Sequence, residues 1–365
     1  MSPPVLSPDH GARGVDLGPE PLGEHRSTWD EFAARGRRVD GNADAAIDLA
    51  RAIGSSAPRP GLGRTLDRWA MLASLAAADL TAARVAEGHL DALAILSEAG
   101  IESGRDLSIL GAGPDSTWGV FAAEGPAVRL QAREPTTQHG WVLDGAKPWC
   151  SLAGRLSHAL ITAHTSPGRR RLFAVALQHP TVEIVHGTWV SRGLSAVESG
   201  PIALHDAPAV PVGEDQWYLE RPGFGWGGAG VAACWYGGAI GLARSLWGAL
   251  AAREPDQIAQ MQLGAVDLAL HGAREVLRAA AEAVDSGRAD GDWGSVVAGR
   301  VRGVVAGAAE QIITRVGHVL GPAPLTQDEV HARRVADLTV YVRQHHAERD
   351  DAALGRAILA GGLPW

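Results

Sequence analysis

The feature that most constrains this chain is a change of texture along its length. Helical periodicity runs from Trp29 to about Gly100, gives way between Trp118 and about Val212 to short β-type runs, and returns at about Gly227. In the first part, Asn42 and Asp44 suit the cap of a helix that reaches Ile53. Leu66, Trp69, Leu72 and Leu75 then recur at helical spacing, and Leu90, Leu93, Ile95 and Leu96 form a second stripe. The middle part holds GWVLDGAKPWC, HALITAH, RLFAVALQ and TVEIVHGTWV, separated by Asp144-Gly145, Ser166-Pro167-Gly168 and His179-Pro180. Those are strand runs between turns. The last part divides at Gly287 and at Gly321-Pro322-Ala323-Pro324 into long helices over 230–253, 257–286, 293–319 and 327–346, with a short one over 352–359. Thr326 and Glu329 suit the capping box of the fourth. No strand and helix alternate, and no GxGxxG follows a strand, so a doubly wound dinucleotide fold is excluded. The expected architecture is α+β. It has a flexible arm over 1–28, a helical domain over 29–112, an antiparallel barrel or sheet over 113–221 and a four-helix bundle over 222–365.

With 365 residues, 46% of them hydrophobic, the chain is long enough for two or three cores. A net charge of −8 sets the wrong field for a nucleic-acid partner. The apolar stretch 227–252 is too rich in glycine, and too soon interrupted by Arg244, to predict a membrane span. Cys150 and Cys234 lie far apart, and the histidines show no paired ligand spacing, so neither a disulfide framework nor a metal site is predicted. A cytoplasmic location is expected, because the N-terminus lacks the basic start and apolar core of a signal peptide. Among the basic residues Lys147 is the only lysine, which singles it out.

Lys147 lies in Gly140-Trp141-Val142-Leu143-Asp144-Gly145-Ala146-Lys147-Pro148-Trp149-Cys150-Ser151. This run resembles the G-x-x-L-x-G-x-K-x-W-I-[TS] strand pair of the acyl-CoA dehydrogenase family. Three further segments are similar to that family in the same order: Arg192 to Val212, Pro222-Gly223-Phe224-Gly225-Trp226, and Gly237-Gly238-Ala239-Ile240-Gly241-Leu242-Ala243. The resemblance covers about Trp69 to Leu359 and implies FAD as cofactor. A flavin needs an aromatic wall and donors at its polar edge. The resemblance assigns the wall to Trp149 and the donor to Ser151. It sets Trp118 to Arg129 against the family's other flavin segment, with Phe121 and Ala123 beside the cofactor. Glu124 of that segment is kept, whereas its Thr has become Ala123 and its Gly-Ser-Asp end is absent. In the helical part the resemblance assigns Arg253 to a pyrophosphate across a subunit interface, and Gly317 to a glycine of the family's later cofactor segment.

The largest departure concerns the base that removes the α-proton of a thioester. Counting from Ala336-Asp337, the place of the usual glutamate is taken by His345, beside His346. The alternative position on the first bundle helix, Gly230-Val231-Ala232, carries no acid either. Histidine serves as a base near neutral pH, and adjacent helical residues point about 100° apart, so one of the pair faces a pocket. The resemblance therefore implies an FAD-dependent oxidoreductase that desaturates an acyl thioester carried on coenzyme A or an acyl carrier protein. An electron-accepting flavoprotein, or a flavin reductase, is the implied partner. A homotetramer or dimer built through the bundles is also implied. Two alternatives stay open: a reduced-flavin-dependent monooxygenase of the same superfamily, and a flavin-free structural partner.

Overall fold

The computed structural model describes residues 13–18, 26–125, 129–134, 140–252 and 254–361. Four helices lead, α1 (Arg26–Arg37), α2 (Ala43–Gly54), α3 (Thr65–Ala78) and α4 (Leu80–Glu98), followed by the single turn α5 (Ser103–Asp106). The cap read from sequence is present, since Asn42 accepts the Ala45 N–H at 3.0 Å. Asp79 breaks α3 from α4 and caps α4, accepting from Ala82 N at 2.8 Å. From Trp69 to Ala77 almost every residue of α3 is buried, so this helix is a central core element rather than an amphipathic surface one.

Seven strands follow: β1 (Trp118–Phe121), β2 (Leu130–Arg133), β3 (Val142–Lys147), β4 (His158–Ser166), β5 (Arg169–Ala176), β6 (Val182–Ile184) and β7 (Ile202–Val212). Strands β4, β5, β7, β3 and β2 pair in sequence and return to β4, which closes the sheet on itself, with β1 and β6 at its margins. The expectation of a wholly antiparallel sheet is corrected here. Both β1 and β2 pair with β4 in parallel, because long connections rather than hairpins join them to it. The pairing of β3 with β7 is bulged on β7, where the three steps from Ala207 to Leu204 face the two from Leu143 to Gly145 and Asp206 has φ +53°; a Cβ at Gly145 would lie 2.5 Å from Arg129 O.

After α6 (Trp217–Glu220) come α7 (Pro222–Ala251), α8 (Gln257–Asp285), α9 (Gly291–Leu320), α10 (Ala323–Gln327), α11 (Glu329–Tyr341) and α12 (Glu348–Gly361). Helix α7 begins well before the predicted Gly230, with Pro222 in its first turn. Its glycines are close-packing positions, not loop residues. A Cβ at Gly237 would strike Ala73 O on α3, and one at Gly227 would meet Asp91 Oδ1 at 2.9 Å. The cap of α11 is Asp328, which accepts from His331 N at 3.0 Å; Thr326 lies inside α10 instead. Helix α7 packs on α9, α8 and α11 and also on α3, so both helical parts share one core.

The described part of the N-terminal arm is fixed, contrary to its composition. Val15 and Leu17 are buried, Val15 N donates to Ser74 Oγ at 2.8 Å, and Arg244 donates to the carbonyls of Arg13 and Gly14. Two apolar side chains and a backbone-binding arginine outweigh the Pro and Gly content; the rest of the arm before Arg26 lies outside the described residues. Among the described residues, no helix is long and apolar enough to cross a membrane.

Candidate active site

The residues between β3 and β4 form a turn that is strained and firmly held. Trp149 has φ +61° and Leu152 φ +57°, the left-handed region that non-glycine residues avoid. Cys150 N donates to Gly200 O at 2.9 Å and Leu152 N to Glu198 O at 2.6 Å, which pins the turn to the 198–200 segment. Strain of this kind persists only where neighbours over-determine it, at a cost of about 1–3 kcal/mol per residue. Its product is an indole left 58% exposed. Trp149 is therefore not a core residue of the barrel.

Lys147, the last residue of β3 before this turn, is buried. Its side chain is 2% exposed, and Nζ donates to Glu124 Oε1 at 2.7 Å and to Thr162 O and Oγ1, both at 2.9 Å. Glu124 also accepts from His164 and lies 3.4 Å from Arg170. Burial alone would raise the Glu124 pKa, but Lys147, His164 and Arg170 outweigh it and hold the carboxyl below its ordinary value. The surviving glutamate of one sequence segment is thus the partner of the surviving lysine of the other.

Ser151 faces the helices. Its Oγ accepts from Arg84 Nη2 at 3.1 Å and lies 2.8 Å from Ser199 Oγ. Ser199 gives its own proton to Val197 O, so Ser151 is the donor of that pair. On α4, Arg84, Glu87 and Asp91 share one face at i, i+3 and i+7. Arg84 and Glu87 form an ion pair at 3.0 Å with side chains 17% and 12% exposed, and Tyr341 OH donates to Glu87 Oε2 at 3.4 Å. Burial and the neighbouring Asp91 push the Glu87 carboxyl above its ordinary pKa, against the pull of Arg84. Burial raises Asp91 likewise. Arg84 and Glu87 thus form a mostly buried charge pair behind Ser151.

From Tyr341 the contacts continue through Trp235, whose ring lies edge-on at 6.4 Å, to Arg302, 4.9 Å above the Trp235 ring. Arg302 donates to Gly228 O at 3.1 Å and to Gln344 O, the residue before His345. His345 follows the 3-10 turn that ends α11, with a side chain 10% exposed. Burial, aided by Arg302 and opposed by Asp350, lowers its pKa below the ordinary 6.5, so the ring is neutral at pH 7. His346 is 58% exposed, with Nδ1 at 3.3 Å from Asp350 Oδ1.

The structure sets Trp149 and Ser151 in one turn, whereas His345 is linked to that turn only at a distance, through Arg84, Glu87, Tyr341, Trp235, Arg302 and the Gln344 carbonyl. It sets the other sequence candidates elsewhere. Phe121 is 2% exposed in the core, which leaves only its backbone available, and Ala123 is exposed beside Glu124. Gly317 is exposed near the end of α9, roughly 22 Å along the helix from Arg302. Arg253 lies outside the described residues. Gly230 is buried, and a Cβ there would lie 3.3 Å from Trp69 Nε1, so a side chain at this position would press on that indole. Sequence reasoning missed Arg84, Glu87, Asp91, Ser199 and Arg302. The available signal was Arg84-x-x-Glu87-x-x-x-Asp91, a polar stripe on an otherwise apolar helix.

The barrel docks on α11 at a single carboxylate. Leu194 N donates to Asp337 Oδ1 at 2.5 Å, and Gly193 packs so closely on Ala336 O that no Cβ would fit. Burial, with Asp79 adding to it, raises Asp337 to about 6. A folded-state pKa above the unfolded value makes this residue's contribution most favourable below about pH 4, and it declines as pH rises through 6. Asp337→Asn keeps an acceptor for Leu194 without the charge. Its loss of stability between pH 4 and 7 should be smaller than the wild type's, by roughly 1–3 kcal/mol in urea unfolding. Parallel profiles would remove this account.

No family model matches the chain, and no curated protein matches it. Solved structures do. KijD3 in complex with FMN and dTDP-3-amino-2,3,6-trideoxy-4-keto-3-methyl-D-glucose is 21% identical, with TM-score 0.78, over 96% of this chain and 97% of that one. A nitrososynthase from Micromonospora carbonacea var. africana is 18% identical with TM-score 0.77, over 96% of this chain and all of that one. PigA with FAD and proline is 16% identical with TM-score 0.75, over 93% and 99%. At these identities the likeness is one of fold, and the chain has the acyl-CoA dehydrogenase-like fold that its sequence motifs resemble.

Proposed function

We propose that this chain is a flavin-dependent oxidoreductase whose flavin ring lies against Trp149 with its polar edge at Ser151. The observation that carries the reading is the exposed indole of Trp149, held in strained backbone by the 198–200 segment. The residues fit a flavin: a flat apolar face, two hydroxyls at its side, and a cationic Arg84 behind them. KijD3 was solved with FMN and PigA with FAD, so the flavin assignment is supported from both, and FAD is the form the sequence motifs favour. When bound, the flavin supplies two-electron chemistry. Trp149 supports one ring face, Ser151 turns its hydroxyl from Ser199 to the ring edge, and Arg84, fixed by Glu87 and Tyr341, keeps Ser151 in place. Neutral His345 accepts or returns the proton. The helical part is read as the four-helix bundle through which copies of the chain assemble, and the substrate expected from the motifs is an acyl thioester.

The alternative reaction is a reduced-flavin-dependent monooxygenation. Mixing the flavin-loaded protein anaerobically with a panel of acyl-CoA esters separates the two. Bleaching of the oxidised flavin band supports dehydrogenation, whereas oxygen uptake only with supplied reduced flavin supports oxygenation. In either reaction His345→Gln should lower turnover about 100-fold with flavin content unchanged. The acid limb of the wild-type kcat profile should fall below the ordinary histidine value. Unchanged turnover would remove His345 from the mechanism.

A further inference from the structure

A groove of about 1040 Å³ opens on a different face of α4 from the one that meets Ser151, beside the end of α2, the 55–59 loop and the segment that follows α4. Two nearly buried polar side chains line it, His89 at 4% and Arg68 at 6% exposure. Nδ1 of His89 accepts the Trp118 N–H at 3.2 Å, which places the proton of the neutral ring on Nε2. That Nε2–H has no acceptor among the described residues. It lies against Gly54, where a Cβ would come within 2.8 Å. Burial, reinforced by Arg68, holds His89 down to about 4, so the ring is a neutral donor at physiological pH.

The guanidinium groups are only partly satisfied, Arg68 being countered by Asp91 and Glu87 at longer range. Arg68 donates to Pro58 O at 2.9 Å and Arg59 to Ser97 Oγ at 2.5 Å, and neither has a carboxylate at ion-pair distance among the described residues. By contrast Arg51 and Arg105, on the same groove, are already paired with Asp48 and with Asp106 and Glu102. Ser55 and Ser116 add hydroxyls, and Asp115 is the one lining carboxylate left outside these pairs. None of the buried polar atoms left without a partner lies in this groove, so its free donors meet solvent there, and an acceptor-rich ligand would take the place of that water. Two arginines, a ring N–H and several hydroxyls supply more donors than one carboxylate accepts, and guanidinium matches phosphate oxygens.

We propose that this groove binds the phosphate or diphosphate group of a ligand through Arg59, Arg68 and His89. The inference rests on the groove's own geometry and is independent of the flavin reading. The test is calorimetric titration of the full chain with inorganic pyrophosphate, ADP and coenzyme A in turn. Saturable binding of at least one is expected. Tightest binding of pyrophosphate identifies free diphosphate as the ligand, and tighter binding of ADP or coenzyme A identifies a nucleotide-borne one. Arg59→Ala, at an exposed position, should weaken the best probe by about tenfold or more. Gly54→Ala, which crowds His89 Nε2 while suiting a helix, should weaken it as well. Absence of saturable binding of all three probes, or affinities unchanged in both variants, would overturn the proposal.

Discussion

Lys147→Met should lower the free energy of unfolding by about 3 kcal/mol, read as a shift of the urea midpoint at unchanged slope. Methionine fills a similar volume but removes all three donations from Nζ, leaving Thr162 O and the Glu124 carboxylate to find other partners. Breaking a buried ion pair costs about 3–5 kcal/mol, and the lower end applies because Glu124 is 34% exposed and keeps His164 and Arg170. Lys147→Arg should also destabilise, since a planar fork cannot reproduce the compact ammonium among these oxygens. Both variants should lose flavin, because Lys147 anchors the end of β3 that leads into the Trp149 turn to Glu124 and Thr162. Wild-type midpoints in both would return Lys147 to the status of an ordinary cation.

The second large effect is one of opposite signs. Trp149→Gly should weaken flavin binding at least tenfold while leaving the apo-protein as stable as the wild type or more so, by up to about 1 kcal/mol. Glycine adopts φ +61° without strain, and the indole it replaces is 58% exposed, so little packing is lost. A residue kept for folding would show losses in both measurements. Loss of stability comparable to that of Lys147→Met would mean that the indole serves the fold instead.

The order of helices, strands and helices was legible because period and turn chemistry are local properties. Asn42 before an apolar stripe is enough to start α2, whereas Asp144-Gly145, which reads as a turn, lies inside β3, where pairing with β2 and β7 keeps it extended. Parallel pairing of β1 with β4 was not legible, since nothing local in Trp118 to Phe121 states which strand lies beside it. The glycine-rich start of α7 reads as loop because propensity alone disfavours it. Close approach to α3 and to Asp91 is a tertiary requirement that overrides propensity.

At the site, Trp149 and Ser151 stood out because the motif around them is contiguous. Arg84, Glu87 and Asp91 are spread over two turns of α4, and their meaning depends on which face of that helix meets Ser151. His345 and His346 are neighbours in sequence and both lie against Asp350, yet only the fold separates their exposure, 10% against 58%. The fixing of Val15 and Leu17 depends likewise on Arg244, far along the chain.

The central claim is that Trp149 is the wall of a flavin site. Titrating the purified chain separately with FMN and FAD, each oxidised and reduced, tests it most directly through the flavin's visible band and tryptophan fluorescence. The account predicts saturable binding of at least one flavin, one per chain, with a perturbed band and quenched tryptophan, and loss of both signals in Trp149→Gly. Failure of a folded wild-type chain to bind either flavin in either oxidation state would contradict it.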